Sequence, residues 1–286
     1  MRTEKEMMDL ILSVAKSDNH IQAVLMNGSR TNPSVQKDVY QDYDIAYMVS
    51  DVAPFWNNIS WIENKFGKPS IMQLPELMTH PLLPPDNDGH FTYLMLFPDG
   101  NRIDLSVVAA ADENLKQYDC LTVCLLDKTG VVPNYPAPSD RDYIVTRPDE
   151  KIFSDTCNEF WWCMQNVAKS IVRDELPSSM EMYNHYVRDM LNQMVEWHIG
   201  ITTGFSVSVG KMGKYFRKYL PKELWDTYAK TYCDSNYEHF WSAISIMCDL
   251  FRTLSLKVAE HFGFTYRKDE EEGIRVYMKM VKEELL

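Results

Sequence analysis

Short apolar runs separated by turn residues fill the first half of the chain. The runs that predict strands cover residues 23–28, 44–49, 91–97, 102–108 and 121–126. Between two of them, the sequence Pro98-Asp99-Gly100-Asn101 is typical of a hairpin turn. Apolar residues at three- and four-residue spacing predict amphipathic helices over 3–17 and around 54–65. The first half is therefore expected to mix strands with helices.

The second half carries apolar residues at helical spacing almost throughout. The predicted helices cover residues 149–173, 180–203, 222–231, 236–262 and 270–284. The proline-rich stretch 134–139 is typical of a linker between domains. This change of pattern predicts two domains that divide near residues 145–150.

Composition excludes several classes of protein. The chain has 286 residues, of which 45% are hydrophobic and 24% charged, as in an ordinary globular protein. Its net charge of −12 argues against a nucleic-acid partner, which usually requires a basic surface. Apolar runs fall short of the roughly 18 residues of a membrane helix, so we expect no membrane partner.

The N-terminal residues and the cysteines bear on the cellular location of the protein. Acidic residues interrupt the apolar positions of the first 19 residues, so we expect no signal peptide. The six cysteines form neither a CxxC pair nor a zinc-like pattern with histidine. Reduced thiols and a cytoplasmic location are therefore expected.

Two aspartates open the second predicted strand. Asp42 and Asp44 are alternate residues, so their side chains are expected to project from the same face of the strand. Carboxylates so close together repel each other unless a cation lies between them. A hard divalent cation such as Mg²⁺ fits, since it binds one or two carboxylates together with phosphate oxygens. The alternative is a turn or cap role, which is common for aspartate at a strand start.

A third acid, Asp104, lies within a later apolar strand. Its neighbours Ile103 and Leu105 are apolar, so Asp104 faces the opposite side of that strand, where a charge requires a partner. Three acids on adjacent strands can hold two metal ions about 4 Å apart. One ion would activate an attacking hydroxyl, and the other would bind a triphosphate.

Phosphate-binding candidates occur in both halves. Gly28 and Ser29 follow the first strand, where a glycine turn lets backbone amides approach a phosphate. Arg30 comes next and suits either a phosphate or a surface salt bridge. In the second half, Lys211 and Lys214 begin a basic run without acidic residues. That run is either a phosphate clamp or a solvated cationic face.

The Gly-Ser turn and the aspartates resemble the polymerase-β type of nucleotidyltransferase superfamily. Longer strings are similar to the aminoglycoside 6-adenylyltransferases, also called streptomycin adenylyltransferases, nearly from end to end. These strings are NGSRTNP, Tyr40-Gln41-Asp42-Tyr43-Asp44-Ile45, Asp99-Gly100-Asn101-Arg102-Ile103-Asp104-Leu105, Leu126-Asp127-Lys128, Cys157-Asn158-Glu159-Phe160-Trp161 and Phe205-Ser206-Val207-Ser208-Val209-Gly210-Lys211.

The resemblance implies an α+β fold. A catalytic nucleotidyltransferase domain, a mixed β-sheet with flanking helices, would cover 1–147. An α-helical bundle that binds the substrate would cover 148–286, with the active cleft between the domains. The implied reaction transfers AMP from ATP to the 6-hydroxyl of streptomycin, releases pyrophosphate and confers antibiotic resistance.

The resemblance also implies roles for site residues. Asp42 and Asp44 would ligate Mg²⁺, and Asp104 would bind a second metal or act as the general base. Gly28, Ser29 and Arg30 would hold the triphosphate of ATP.

The drug site is expected on the first helix of the second half. Streptomycin carries guanidinium groups, which carboxylates bind through paired hydrogen bonds. Asp155 and Glu159 lie four residues apart on one helix face, and Trp162 follows with an aromatic ring for cation–π contact. The alternative is an ordinary charged helix surface over a tryptophan-anchored core.

Rival functions stay open at this point. The same chemistry on another aminoglycoside or hydroxylated small molecule is the nearest one. A catalytically silent nucleotide-binding protein is another, although such proteins usually lose one of the acids. A monomer is the favoured oligomeric state.

Overall fold

A six-stranded mixed sheet organises the first half of the chain. The computed structural model describes residues 1–80, 82, 89–110 and 119–283. It divides into two units, Met1–Asp142 and Tyr143–Leu286. The first unit holds the sheet, and the second is built from helices.

The strands pair in an order that differs from their order in sequence. They are β1 (Ile21–Asn27), β2 (Tyr43–Val49), β3 (Ile71–Gln73), β4 (Phe91–Leu96), β5 (Arg102–Ala109) and β6 (Val123–Asp127). Across the sheet their order is β3-β4-β5-β2-β1-β6. β2 and β5 run parallel, and the other neighbouring pairs are antiparallel.

The expected strands are present, and one short strand is additional. The turn at Pro98–Asn101 joins β4 to β5 as an antiparallel hairpin, as its sequence predicts. β3 was not expected, because its three residues lie at the edge of the sheet without an alternating apolar pattern.

Two helices accompany the sheet. They are α1 (Glu4–Ser17) and α2 (Ile59–Phe66). Thr3 begins α1 with a capping box, in which its hydroxyl accepts from the Glu6 amide and the Glu6 carboxylate accepts from the Thr3 amide. The helix expected around 54–65 is divided, because Asn57 adopts a positive φ of 51° and Asn58 caps a new helix start.

The two faces of β2 have different roles. Tyr43, Ile45 and Tyr47 are buried in the main core of this unit, to which α1 also contributes. The alternate residues point to the other face, where Ala46 and Met48 belong to a small apolar cluster. Asp44 shares this second face because strand side chains alternate with a period of two.

The second unit contains seven α-helices among its described residues. They are α3 (Glu150–Val172), α4 (Leu176–Glu181), α5 (Arg188–Thr203), α6 (Phe216–Tyr219), α7 (Lys222–Ala229), α8 (Tyr237–Phe262) and α9 (Lys268–Lys282). A π-helical turn over Met182–Val187 interrupts the single helix predicted for 180–203. Residue 284, the predicted end of the last helix, lies outside the described residues.

Aromatic packing fills the core of the helical unit. Phe160 of α3 stacks on Phe251 of α8 with ring centroids 3.7 Å apart, and Trp161 contacts both rings edge-on.

A unit built on a sheet and a unit built from helices make the fold α+β, as expected. The six cysteines are free thiols. Of the helices that the structure describes, none has both the length and the apolar character to cross a membrane.

A buried tyrosine ties α1 to the strand that carries the acids. The Tyr47 hydroxyl donates to the Ile11 carbonyl over 2.6 Å, and the side chain is fully buried. We expect Tyr47→Phe to lower the free energy of opening of β2 by about 1 kcal/mol. Hydrogen exchange of the β2 amides should then be about fivefold faster. Tyr40→Phe is the control, since Tyr40 is 85% exposed. Equal exchange in both variants would contradict the role of this bond.

Candidate active site

Three aspartates meet on one face of the sheet. Asp44 of β2 lies directly opposite Asp104 of β5 in the parallel register. Asp42 directly precedes β2, and its Oδ2 lies 3.4 Å from the guanidinium of Arg102, which also contacts Asp104. The structure thus places these three predicted acids together.

Burial and mutual repulsion change the acidity of the group. Desolvation, followed by the charges of Asp104 and Asp42, raises the pKa of Asp44 from 3.8 to about 6. Desolvation also raises the pKa of Asp42, against the lowering effect of Arg102. The site therefore favours a bound cation.

Arg102 contacts two of these acids. Its Nε and Nη2 donate to the two carboxylate oxygens of Asp104 at 2.8 and 2.6 Å. Sequence analysis did not single out Arg102 as a functional residue. The sequence did contain an indication of this contact. Arg102 is two positions before Asp104 on the same strand, so both side chains project from one face.

The Gly-Ser turn touches the acids directly. Gly28 follows β1 directly and begins a short 3-10 turn with a φ of 78°. A Cβ atom at Gly28 would lie 1.9 Å from Oδ2 of Asp44. Only glycine leaves room for this carboxylate, so the turn and the acid form a single site.

Arg30 is buried and holds the backbone that leads into β2. Its Nε and Nη2 donate to the carbonyls of Asp42 and Gln41 at 3.0 and 2.7 Å. Its guanidinium carbon lies 3.8 Å from the ring centre of Tyr43. The Gln41 amide donates back to the Ser29 carbonyl at 3.0 Å. Arg30 thus links the Gly-Ser turn to the acidic strand. Its Nη1 also lies 3.6 Å from Oε2 of Glu4, so the salt-bridge alternative is present as well.

The donor set suits a hard divalent cation. Carboxylate oxygens are the ligands that Mg²⁺ and Ca²⁺ prefer, and a cation would offset the desolvation and the like charges that raise the pKa of Asp44. Within the described ranges, no three His, Cys, Asp or Glu side chains are already grouped at the spacing of a metal site. In this structure the Arg102 guanidinium interacts with Asp42 and Asp104.

The predicted lysines belong to the second unit. Lys211 begins a 3-10 turn over Lys211–Gly213 in which Met212 has a φ of 58°. Lys214 follows, with its Nζ 5.1 Å from the ring centre of Tyr215. Both lysine side chains are exposed, as either sequence alternative requires.

The predicted drug-binding residues lie along α3. Asp155 is exposed and paired with Lys151, and Glu159 accepts a hydrogen bond from Cys163 Sγ over 3.1 Å. Trp162 is 62% exposed. It borders a shallow pocket of about 470 Å³ whose other lining residues are Gln165, Asn166, Lys169, Ile274 and Tyr277. The two carboxylates are not among the residues that line this pocket, and the drug-binding role of the three residues stays a prediction.

A mixed sheet with carboxylates beside a Gly-Ser turn is the arrangement that the resemblance to nucleotidyltransferases leads us to expect. A family model described as streptomycin adenylyltransferase matches residues 1–281. The chain belongs to this family of adenylyltransferase enzymes, so the resemblance drawn from the sequence is confirmed.

Curated relatives agree with the family model, and all three are named aminoglycoside 6-adenylyltransferase. The Bacillus subtilis protein is 39% identical over 97% of each chain. The Campylobacter jejuni protein is 38% identical over 93% of this chain and 91% of its own. The Staphylococcus aureus protein is 34% identical over 95% of this chain and 96% of its own. A crystal structure of an aminoglycoside 6-adenyltransferase from Bacillus subtilis aligns over 99% of each chain, at 35% identity and a TM-score of 0.49.

Adding a side chain at Gly28 should greatly reduce activity. We expect Gly28→Ala to lower the rate of nucleotidyl transfer at least about 100-fold, the scale of a misplaced reacting group. Gly130→Ala is the matched control, because Gly130 has a φ of 73° and open space around its Cβ position. Turnover assays and circular dichroism of both variants measure the difference. Equal activities would contradict the contact between the turn and Asp44.

The raised pKa of Asp44 should appear in the stability of the metal-free protein. Because the folded pKa lies above the unfolded value, this carboxyl stabilises the fold fully only below about pH 4, and the contribution is lost as pH rises through about 6. Asp44→Asn should therefore raise Tm relative to wild type more at pH 7.5 than at pH 4. Calorimetry in EDTA tests this, and a pH-independent difference would contradict it.

Proposed function

We propose that this enzyme transfers AMP from ATP to the 6-hydroxyl of streptomycin, with Mg²⁺ as cofactor, and that this reaction confers resistance. Its membership of the adenylyltransferase family supports the reaction class. The observation that carries the proposal is the register of β2 and β5, which places Asp44 beside Asp104 next to the Gly28 turn.

Asp42 and Asp44 are the residues that would hold Mg²⁺. When bound, the ion supplies positive charge that offsets the carboxylates and the phosphate oxygens of the nucleotide. Backbone amides of Gly28 and Ser29 hold the triphosphate, since the amide groups of such a turn can bind phosphate oxygens. Arg30 orients this turn against β2 through the contacts described above.

Asp104 takes the proton of the drug hydroxyl. A sugar hydroxyl is a weak nucleophile at neutral pH, so a carboxylate must accept its proton as the new O–P bond forms. The bond between the α-phosphorus and pyrophosphate breaks in the same displacement. Lys211 and Lys214 of the helical unit are proposed to offset the charge of the pyrophosphate.

The acceptor is proposed to bind through Asp155, Glu159 and Trp162. Streptomycin is cationic, and the acidic net charge of −12 favours its approach. The exposed Trp162 ring offers a face for a guanidinium, and Asp155 exchanges its lysine partner readily because both side chains are exposed.

Mass spectrometry tests the proposal. Streptomycin incubated with the protein, ATP and Mg²⁺ should gain one AMP, and EDTA should prevent it. Asp104→Asn should slow the reaction by about 10²–10⁴-fold, the usual contribution of a general base. Asp9→Asn is the control, because Asp9 is an exposed residue of α1, which belongs to the core on the opposite sheet face.

Two other outcomes would change the proposal. Modification of a different aminoglycoside alone would retain the chemistry and overturn streptomycin as the acceptor. If ATP binds but no aminoglycoside is modified, the protein is a nucleotide-binding member of the fold without transferase activity on these drugs.

A further inference from the structure

A guanidinium lies between two acids of the proposed active site. Arg102 makes paired hydrogen bonds to both oxygens of Asp104, at 2.8 and 2.6 Å, and its Nη1 lies 3.4 Å from Oδ2 of Asp42. Paired, charge-assisted bonds of this kind are among the stronger polar contacts in proteins. In this arrangement the acids already have a positive partner.

The two arginines of this region differ in freedom. The Arg30 side chain is 6% exposed, and it donates to two backbone carbonyls. Arg102 is the first residue of β5, and its side chain is 44% exposed. If the Arg102 side chain left the acids, it would therefore move towards solvent. Unlike Arg30, it would not give up hydrogen bonds to backbone carbonyls.

We propose that Arg102 is an internal counter-cation, which a divalent metal ion must displace from Asp42 and Asp104. The inference rests on the proposed metal-dependent function. One positive partner then replaces another, so the acids are never left to repel each other unpaired. Displacement also frees Asp104, whose two oxygens are occupied by Arg102, to accept a proton.

This competition sets the affinity of the metal-free protein for a cation. A metal ion that must first break the Arg102 contacts binds more weakly than it would to free carboxylates, by the free energy of those contacts. Arg102→Gln removes the competitor but keeps a polar side chain of similar length. Arg102→Lys keeps the positive charge but cannot form the paired hydrogen bonds.

Mn²⁺ binding without nucleotide, followed by electron paramagnetic resonance, measures this competition. We expect Arg102→Gln to bind Mn²⁺ at least about tenfold more tightly than wild type, and Arg102→Lys to fall between them. Lys5→Gln is the control for charge, because it breaks an aspartate ion pair on α1 and should change the affinity less than about twofold.

Stability provides the second readout. In EDTA at neutral pH, Arg102→Gln should have a lower Tm than wild type, and Mn²⁺ should raise its Tm by more than it raises that of wild type. A merely structural role predicts a lower Tm without tighter metal binding. Should Arg102→Gln fail to fold, Arg102→Lys alone decides by its Mn²⁺ affinity.

The outcomes separate this inference from the proposed function. If Asp44→Asn abolishes Mn²⁺ binding but both Arg102 variants bind as wild type does, the counter-cation role is overturned and the metal site stands. If Asp44→Asn leaves Mn²⁺ binding unchanged, both proposals are overturned. Tighter binding in Arg102→Gln that Asp44→Asn abolishes supports both.

Discussion

The placing of three carboxylates, partly desolvated, on one sheet face is the constraint around which the first unit is arranged. Asp44 and Asp104 lie side by side, and desolvation, followed by the charges of Asp104 and Asp42, raises the pKa of Asp44 to about 6. A carboxyl in such a place is stabilised either by protonation or by a compensating cation. Arg102 is positioned to provide one, and a divalent metal ion is the proposed functional replacement.

The topology of the sheet produces this arrangement. β2 and β5 are parallel, so their N-terminal ends meet at the same edge, and β1 ends there because it runs antiparallel to β2. Asn27, the last residue of β1, pairs with Asp44, and the turn at Gly28 therefore begins beside the acids. Hydrogen bonds from Arg30 to the Gln41 carbonyl and from the Gln41 side chain to the Ser29 carbonyl then join the two ends of the segment between β1 and β2. Chemistry and backbone geometry share the same few residues.

Local patterns in the sequence predicted most of the fold, and the positions of the acids followed from strand alternation. These local patterns could not predict contacts between residues that are far apart in the chain. The parallel pairing that brings Asp104 to Asp44 depends on strands far apart in the chain. The burial of Arg30 depends on Tyr43 and the Gln41 backbone, and a motif does not distinguish that state from a phosphate ligand. The π-helical turn at Met182–Val187 likewise keeps the apolar spacing of an ordinary helix.

The most direct measurement is a pH titration of the aspartate carboxyl carbons by ¹³C NMR, with and without Mg²⁺ and with Asp44→Asn to assign the signal. The structure predicts that one carboxyl of the metal-free protein titrates near pH 6 and that Mg²⁺ shifts this titration to lower pH. If every carboxyl titrates near pH 4 and none responds to Mg²⁺, the acids neither repel each other nor bind a metal ion, and this description of the site is wrong.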